Sequence, residues 1–237
     1  MSRISFENYG RLAKTNNQHT VIAGRYGVQR GAERRIPLDV AQKLVLQAED
    51  RLLEIGCGTG NLLIPLSFMV GEATGVDHEM VIKRLGQRFN LSEISGITGN
   101  FLDLTLSDKF DAILIYSVLH NLSSADEVFL FLEKALDRLA PHGRMLIGDI
   151  PNEDRKKAFL DSPEGKSFQK DWNKQKDNDD ELLNLPADPD TFSFNNKWVG
   201  KIIEFFENNG CNATVLRQPV DLPFGHTRED ILVRQNG

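Results

Sequence analysis

The stretch Arg51-Leu52-Leu53-Glu54-Ile55-Gly56-Cys57-Gly58-Thr59-Gly60-Asn61-Leu62 constrains this 237-residue chain more than any other. Leu52, Leu53 and Ile55 read as a short buried strand interrupted by one acid. Gly56, Gly58 and Gly60 can take positive φ and let a ligand lie against bare backbone. A helix opening after such a turn points free N–H groups, with their partial positive charge, at whatever sits above the strand. Strand, glycine turn and helix together make a nucleotide-type binding unit. The plain alternative is a tight turn with no ligand, but it gives no reason for an acid in a buried strand.

The glycine spacing narrows this reading. A dinucleotide turn is G-x-G-x-x-G, and the position of its last glycine is held here by Asn61. The run Leu53-Glu54-Ile55-Gly56-Cys57-Gly58-Thr59-Gly60 instead closely resembles the first motif of class I S-adenosylmethionine-dependent methyltransferases, (V/L)(L/V)(D/E)(I/V/L)GxGxG. The resemblance implies that Glu54, Gly56, Cys57, Gly58 and Gly60 surround the methionine part of that cofactor.

At 40% hydrophobic and 26% charged, the chain suits one domain with a small cap. A net charge of −6 and a pI near 5.4 argue against a surface built to coat nucleic acid. No apolar run approaches the ~20 residues of a membrane span, and residues 1–10 lack a secretion pattern. Cys57 and Cys211 give neither a disulfide framework nor metal-ligand spacing, so a reducing, cytoplasmic setting is expected. No His, Asp or Glu set is spaced for a metal, and none is expected.

Residues 1–36 carry Arg3, Arg11, Lys14, Arg25, Arg30, Arg34 and Arg35 against Glu7 and Glu33. They read either as a solvated extension or as a lid bringing cations to an anionic ligand. Arg25-Tyr26-Gly27 is the segment to test first. The main domain then runs over residues 37–237. Pro37 opens a helix with Val40, Leu44 and Val45 as its apolar stripe. Residues 61–70 read as the first crossover helix and 72–77 as a second strand. An acid where Asp77 stands, ending that strand, accepts from both ribose hydroxyls in doubly wound nucleotide folds. Its other reading is the cap of the helix starting near Glu79. His78 and Met80 would line the adenine side.

Residues 94–100 read as a third strand. The resemblance places Asn100, where the family usually has an acid, at the adenine amino group, and Phe101 against the purine face. Residues 110–117 form a near-continuous apolar run, as in a strand buried on both faces of a parallel sheet. Val118-Leu119-His120-Asn121-Leu122 resembles the "LHHL" element of small-molecule methyltransferases, which puts Tyr116 and Ser117 at the methionine end. Ser123 or Ser124 caps a helix to about Ala140. Pro141-His142-Gly143 reads as a turn before a fifth strand at 144–150.

Residues 152–190 are crowded with charge but carry Phe159, Phe168, Trp172, Leu182, Leu183 and Leu185. They read as a helical cap where substrate enters, or as a polar excursion. Asn195 or Asn196 starts a last helix with Trp198, Ile202, Ile203 and Phe206 on one side, ended by Asn209-Gly210. Strands at 212–220 and 229–234 close the chain. The expected fold is α/β: a doubly wound, Rossmann-like, seven-stranded, mostly parallel sheet with an antiparallel last strand, an N-terminal helical lid and a helical insert after strand five.

Methyl transfer from a sulfonium asks the protein to hold the acceptor in line, exclude water and, for a hydroxyl, remove a proton. His120, Asp149 and His226 are the candidate bases, with His19 behind them. His142, at the opposite sheet edge, is set aside. Tyr116-Ser117-Val118-Leu119 stands where adenine and glutamine N-methyltransferases carry N/D-P-P-(Y/F), which makes a nucleic-acid acceptor the weaker expectation. The expected activity is therefore O- or N-methylation of a small molecule, a sugar or other anionic metabolite meeting Arg25, Arg30, Arg34 and Arg35. A non-catalytic scaffold subunit of the same fold is the second reading and a dehydrogenase the third. The oligomeric state is left open, a homodimer included.

Overall fold

The computed structural model describes residues 3–14, 18–90, 93–176 and 191–236. Seven strands among them form one sheet: β1 (Arg51–Ile55), β2 (Glu72–Asp77), β3 (Ser95–Thr98), β4 (Phe110–Tyr116), β5 (Leu139–Pro151), β6 (Cys211–Arg217) and β7 (Arg228–Gln235). Their order is β3-β2-β1-β4-β5-β7-β6. β1 to β5 pair in parallel, and β7 runs antiparallel to both β5 and β6. This is the sheet expected above.

Side chains alternate across a strand, so each central strand feeds two cores. Leu52, Ala112, Leu114 and Leu146 face one side, against α4 (Ile36–Leu44), α5 (Leu63–Ser67) and α6 (Glu79–Arg88). Leu53, Ile55, Ile113, Ile115, Met145 and Ile147 face the other, against α7 (Ala125–Leu136) and the helix Asn196–Asn208. Apolar residues on both faces of β1 and β4 are what hide the sheet centre and expose only its carboxyl edge.

Before the sheet come α1 (Arg3–Lys14), α2 (His19–Ile22) and α3 (Arg30–Glu33). After β5 come α8 (Glu153–Asp161) and α9 (Pro163–Lys176), and Asn196–Asn208 is then α10. The part of the expected cap at residues 177–190, including Leu182, Leu183 and Leu185, lies outside the described residues.

Several boundaries differ from expectation, each for a local reason. Val45 does not belong to the α4 stripe. It is the left-handed C-cap at φ 51°, with 52% of its surface exposed. The first crossover helix is only Leu63–Ser67, because the glycine turn continues to Leu62 before helical hydrogen bonding starts. Ser124, not Ser123, caps α7 by accepting from the Glu127 N–H. That helix stops at Leu136 because Leu139 already pairs with Phe110 in the sheet. Pro141-His142-Gly143 is not a separate turn but a bulge within β5. From Phe110 to Ala112, two steps on β4 match five on β5, from Leu139 to Arg144.

A buried charge cluster fixes β7 behind the carboxyl edge. Asp230 is fully buried, and its carboxylate accepts from Lys43 Nζ at 2.6 Å, Gln218 Nε2 at 2.8 Å and the Asp149 N–H at 2.8 Å. Lys43 also reaches Asp39 at 2.6 Å. Removing Lys43 would leave Asp230 charged in the interior with amide donors alone. Lys43→Met should therefore lower unfolding free energy in urea by about 3 kcal/mol. A loss below about 1 kcal/mol, the scale of an exposed pair, would contradict this account of the cluster.

Candidate active site

The carboxyl edges of β1, β2 and β4, with the glycine turn between them, frame a groove. In that turn Gly56 takes φ 80°, Gly58 φ 55° and Gly60 φ 83°. A Cβ on Gly56 would stand 2.5 Å from Val118 Cγ2, while the space over Gly58 is open. Asp77 holds the turn in shape: its Oδ2 accepts the Gly58 N–H at 2.8 Å and its Oδ1 the His78 N–H at 2.6 Å. Asp77 is thus not the cap of α6. His78 is, accepting the Met80 N–H on Nδ1 at 3.1 Å.

One end of the groove is lined by Tyr9, Arg25, Glu54, Gly56, Cys57, Gly58, Asp77, Tyr116, Ser117 and Asn121, among others. The other end is lined by Phe6, Gly56, Asp77, Asn100, Phe101 and Val118, so Gly56, Asp77 and Val118 are common to both. Helix α1 roofs the whole length, with Phe6 over one end and Tyr9 over the other. The Tyr9 phenol, pushed up by burial, hydrogen-bonds Asn121.

The sequence-derived site residues distribute unevenly. Glu54, Gly56, Cys57, Gly58, Asp77 and Tyr116 line the first end, and Asn100 and Phe101 the second. Phe101 also packs against Phe131 at 5.0 Å and is core as well as wall. Gly60 and His78 do not line the groove. Gly60 seats the turn on Leu85 and Ile64, and the His78 ring lies between Phe6 and Gly10 of the lid helix.

Glu54 is 2% exposed, and its Oε2 has no hydrogen-bond partner. Burial, then the charge of Asp77, raises its carboxyl well above the ordinary value; Arg25 works in the other direction. Arg25, from the segment after α2, reaches the same cavity. It donates to Ser117 Oγ at 2.7 Å, lies 3.5 Å from both Asp149 and Glu33, and leaves its buried Nε without a partner. Thr20 and Asn61 hold Glu33 in place at 2.6 and 2.9 Å. The pocket therefore presents one unpaired acid and one unpaired guanidinium N–H.

Asp149 sits in a second bulge of β5, where three steps from Ile147 to Ile150 match two on β7, from Ile231 to Glu229. It takes φ 61°, and Ser117, beside it at the end of β4, takes φ 60°. Such strain in non-glycine residues collects at functional sites. Ser117 donates to Asp149 Oδ2, the same oxygen that lies 3.3 Å from Arg228 Nη1. Three donors converge on that oxygen, so the Asp149 carboxylate positions Arg25, Ser117 and Arg228.

The histidines fare differently from expectation. Burial, then Arg228, pushes His120 down to about 3, and its Nδ1 is buried without a partner. It is neutral and weakly basic near pH 7. His226 is not at the groove: it stacks on Phe159, with centroids 4.3 Å apart. His19 Nδ1 pairs with Thr59 Oγ1 at 2.9 Å and braces the glycine turn. Tyr9, Asn121 and Arg228 were not singled out from the sequence, because only the folded chain brings lid, loop and last strand together. Arg25 carried a signal, as a cation in a lid segment, but not its depth.

Residues 52–143 match the Methyltransf_25 family, a methyltransferase domain. The chain is 36% identical over 106 residues to a probable non-canonical nonribosomal peptide synthetase, CymA, of Salinispora arenicola, covering 42% of this chain and 1% of that protein. It is 26% identical over 154 residues to an uncharacterized methyltransferase of Alkaliphilus oremlandii, covering 63% of this chain and 66% of the relative. The chain thus spans less than two-thirds of either curated relative. The N-methyltransferase NodS of Bradyrhizobium japonicum, in complex with S-adenosyl-L-homocysteine, superposes with a TM-score of 0.65 at 14% identity, covering 99% of this chain and 100% of NodS. Residues 52–143 are thus similar to a methyltransferase domain, and the chain shares its fold with NodS.

Glu54 makes a pH prediction. Its raised carboxyl keeps a proton in the folded state that the unfolded chain has released. Its contribution to stability is fully present below its ordinary 4.5 and is lost as pH rises through the raised value. In urea titrations from about pH 4.5 to 8, wild type should lose stability relative to Glu54→Gln by up to ~1.4 kcal/mol per pH unit inside that window. A difference between the two proteins that does not vary with pH would contradict the assignment.

Proposed function

We propose that this chain transfers a methyl group from S-adenosylmethionine to a small-molecule acceptor. The observation that carries the reading is a pair of buried polar atoms without hydrogen-bond partners on residues lining one cavity, Oε2 of the Glu54 carboxyl and Nε of Arg25. A buried acid facing a buried guanidinium is the donor set for a zwitterion, and an amino-acid end supplies its ammonium and carboxylate. Glu54 would take the ammonium and Arg25 the carboxylate. The Asp77 carboxylate has about four lone-pair sites and uses two on backbone, so it keeps capacity for both ribose hydroxyls. Asn100 and Phe101 would meet the adenine. When bound, this donor supplies a methyl group on a positively charged sulfur, already activated for displacement.

The chain's own contribution is placement and exclusion of water. Helices α1 to α3 act as the lid, and α8 and α9 as part of the cap, over a domain spanning residues 37–237. His120 offers no strong base and three donors hold one Asp149 oxygen, which favours acceptors that need no base: an amine, or a hydroxyl acidic enough to ionise unaided. The expectation of a sugar or anionic metabolite rested on four lid arginines. Of these, Arg25 reaches the cavity, while Arg30 bonds Gln18 and Arg35 pairs with Asp221 at the surface. Arg34 is exposed, so among the lid arginines anion recognition falls to Arg25. Cys57 and Cys211 are free and buried, in keeping with a reducing compartment. No described helix is long and apolar enough to cross a membrane.

Calorimetry with S-adenosylhomocysteine is the first test, followed by transfer of labelled methyl to candidate acceptors. Asp77→Asn and Asp77→Ala should each weaken binding by about 1.5–3 kcal/mol. Absence of binding by wild type at millimolar ligand would end the proposal. His120→Gln should leave the pH dependence of turnover unchanged between about pH 5.5 and 8, because an ordinary histidine titrates there and this one does not. Loss of an inflection near pH 6.5 in that variant would restore His120 as the base.

A further inference from the structure

A second cavity, of about 210 Å³, lies between the α8–α9 arm and the loop joining β6 to β7. Its walls include Phe159, Phe168, Trp172, Phe224 and His226. Phe159 and His226 are 7° from parallel, and Phe168 and Trp172 are 11° from parallel at 6.0 Å. Packed interiors leave few voids larger than a water molecule. This space exceeds the ~150 Å³ of an engineered apolar cavity that takes benzene.

We propose that this cavity receives the methyl acceptor, and that the acceptor is a planar aromatic compound of about two fused rings bearing an ionisable hydroxyl. The inference rests on the methyl-transfer reading above. Size sets the ring count, and a lining of aromatic rings, inclined at 60° between Phe168 and His226 and at 66° between Trp172 and Phe224, favours an aromatic ligand that meets them face and edge. Charge sets the rest. Among the described residues no carboxylate lines the cavity, Lys156 does, and the Arg228 guanidinium already covers the Phe224 ring at 4.4 Å. A cationic ligand, which an aromatic cage would otherwise favour, meets Lys156 on this wall and no carboxylate among its described residues. A sugar would find few partners for its hydroxyls on walls this apolar.

Two contacts connect the cavity to the groove. Tyr26, the chain neighbour of Arg25, meets Trp172 edge-on at 5.3 Å. Arg228 reaches from the Phe224 ring to the Asp149 carbonyl, donating to it at 2.9 Å. Tyr26 and Arg228 thus link the aromatic wall of the cavity to residues at the groove, and an ionised hydroxyl drawn to Arg228 would lie on the Asp149 side. Aromatic hydroxyls ionise near pH 10 in water, far more readily than aliphatic ones, and a guanidinium favours the ionised form. Their proton passes to water. The phenolate oxygen then forms the O–C bond as the C–S bond breaks, its electron pair returning to the sulfonium sulfur.

The test uses the full chain saturated with S-adenosylhomocysteine, titrated calorimetrically with 2-naphthol, ribose 5-phosphate and choline. The expected result is 2-naphthol binding with Kd below about 1 mM, at least about tenfold tighter than the other two. Phe168 is 43% exposed, so Phe168→Ala should fold. It should weaken 2-naphthol about tenfold, the loss of one aromatic face, while S-adenosylhomocysteine affinity stays within about twofold. Trp172→Leu should do the same. Failure of 2-naphthol to bind, equal binding of the sugar phosphate or choline, or indifference to both substitutions overturns the proposal. If S-adenosylhomocysteine binds and 2-naphthol does not, the acceptor assignment falls alone; if S-adenosylhomocysteine does not bind, the methyltransferase reading falls with it.

Discussion

One carboxylate oxygen, Oδ2 of Asp149, joins separate parts of the chain at the edge where ligands bind. It accepts from Ser117 at the end of β4 and lies within 3.5 Å of Arg25 from the lid and Arg228 from β7. Its own N–H goes to the buried Asp230, which Lys43 ties to α4. The bulge that puts Asp149 there is therefore anchored from behind as well as occupied in front. Pairing of this kind is how a buried charge is tolerated, because each ion would otherwise carry an uncompensated desolvation cost. The same network fixes the orientation of the Asp149 carboxylate.

Around this anchor the groove keeps polar groups that the protein itself does not satisfy. Glu54 and Arg25 are buried, and each retains an atom without a partner. Unsatisfied buried groups cost about 1–3 kcal/mol each, so they persist where a ligand completes them. The left-handed φ angles at Ser117 and Asp149 add backbone strain at the same edge. Stability is given up here to preorganise a site, and the cost is offset by the two apolar layers that close both sheet faces.

Much of this was legible in the chain. The alternating glycines after an acid-bearing strand, with Asn61 in place of the last dinucleotide glycine, marked the turn. The two-faced apolar run of β4 marked a central parallel strand. Asp77 was marked as a ribose ligand, but its grip on the Gly58 N–H was not, since that bond joins residues nineteen positions apart. Arg25 and Ser117 are 92 positions apart, and no local pattern encodes their contact. The two bulges of β5 were missed for a related reason. They exist to satisfy pairing with β4 and β7, not a turn preference of Pro141-His142-Gly143. His226 was read by its loop position alone, and the stack on Phe159 depends on where the α8–α9 arm lies.

The central claim is that Glu54 and Arg25 together read the amino-acid end of the ligand. The most direct measurement compares S-adenosylhomocysteine with 5′-methylthioadenosine, which keeps the adenine, ribose and sulfur but lacks the zwitterion, by calorimetry on wild type and Glu54→Gln. The account predicts at least about a hundredfold preference for S-adenosylhomocysteine in wild type, equivalent to ~2.7 kcal/mol, and a marked loss of that preference in the variant. Equal affinity of wild type for the two ligands would contradict it.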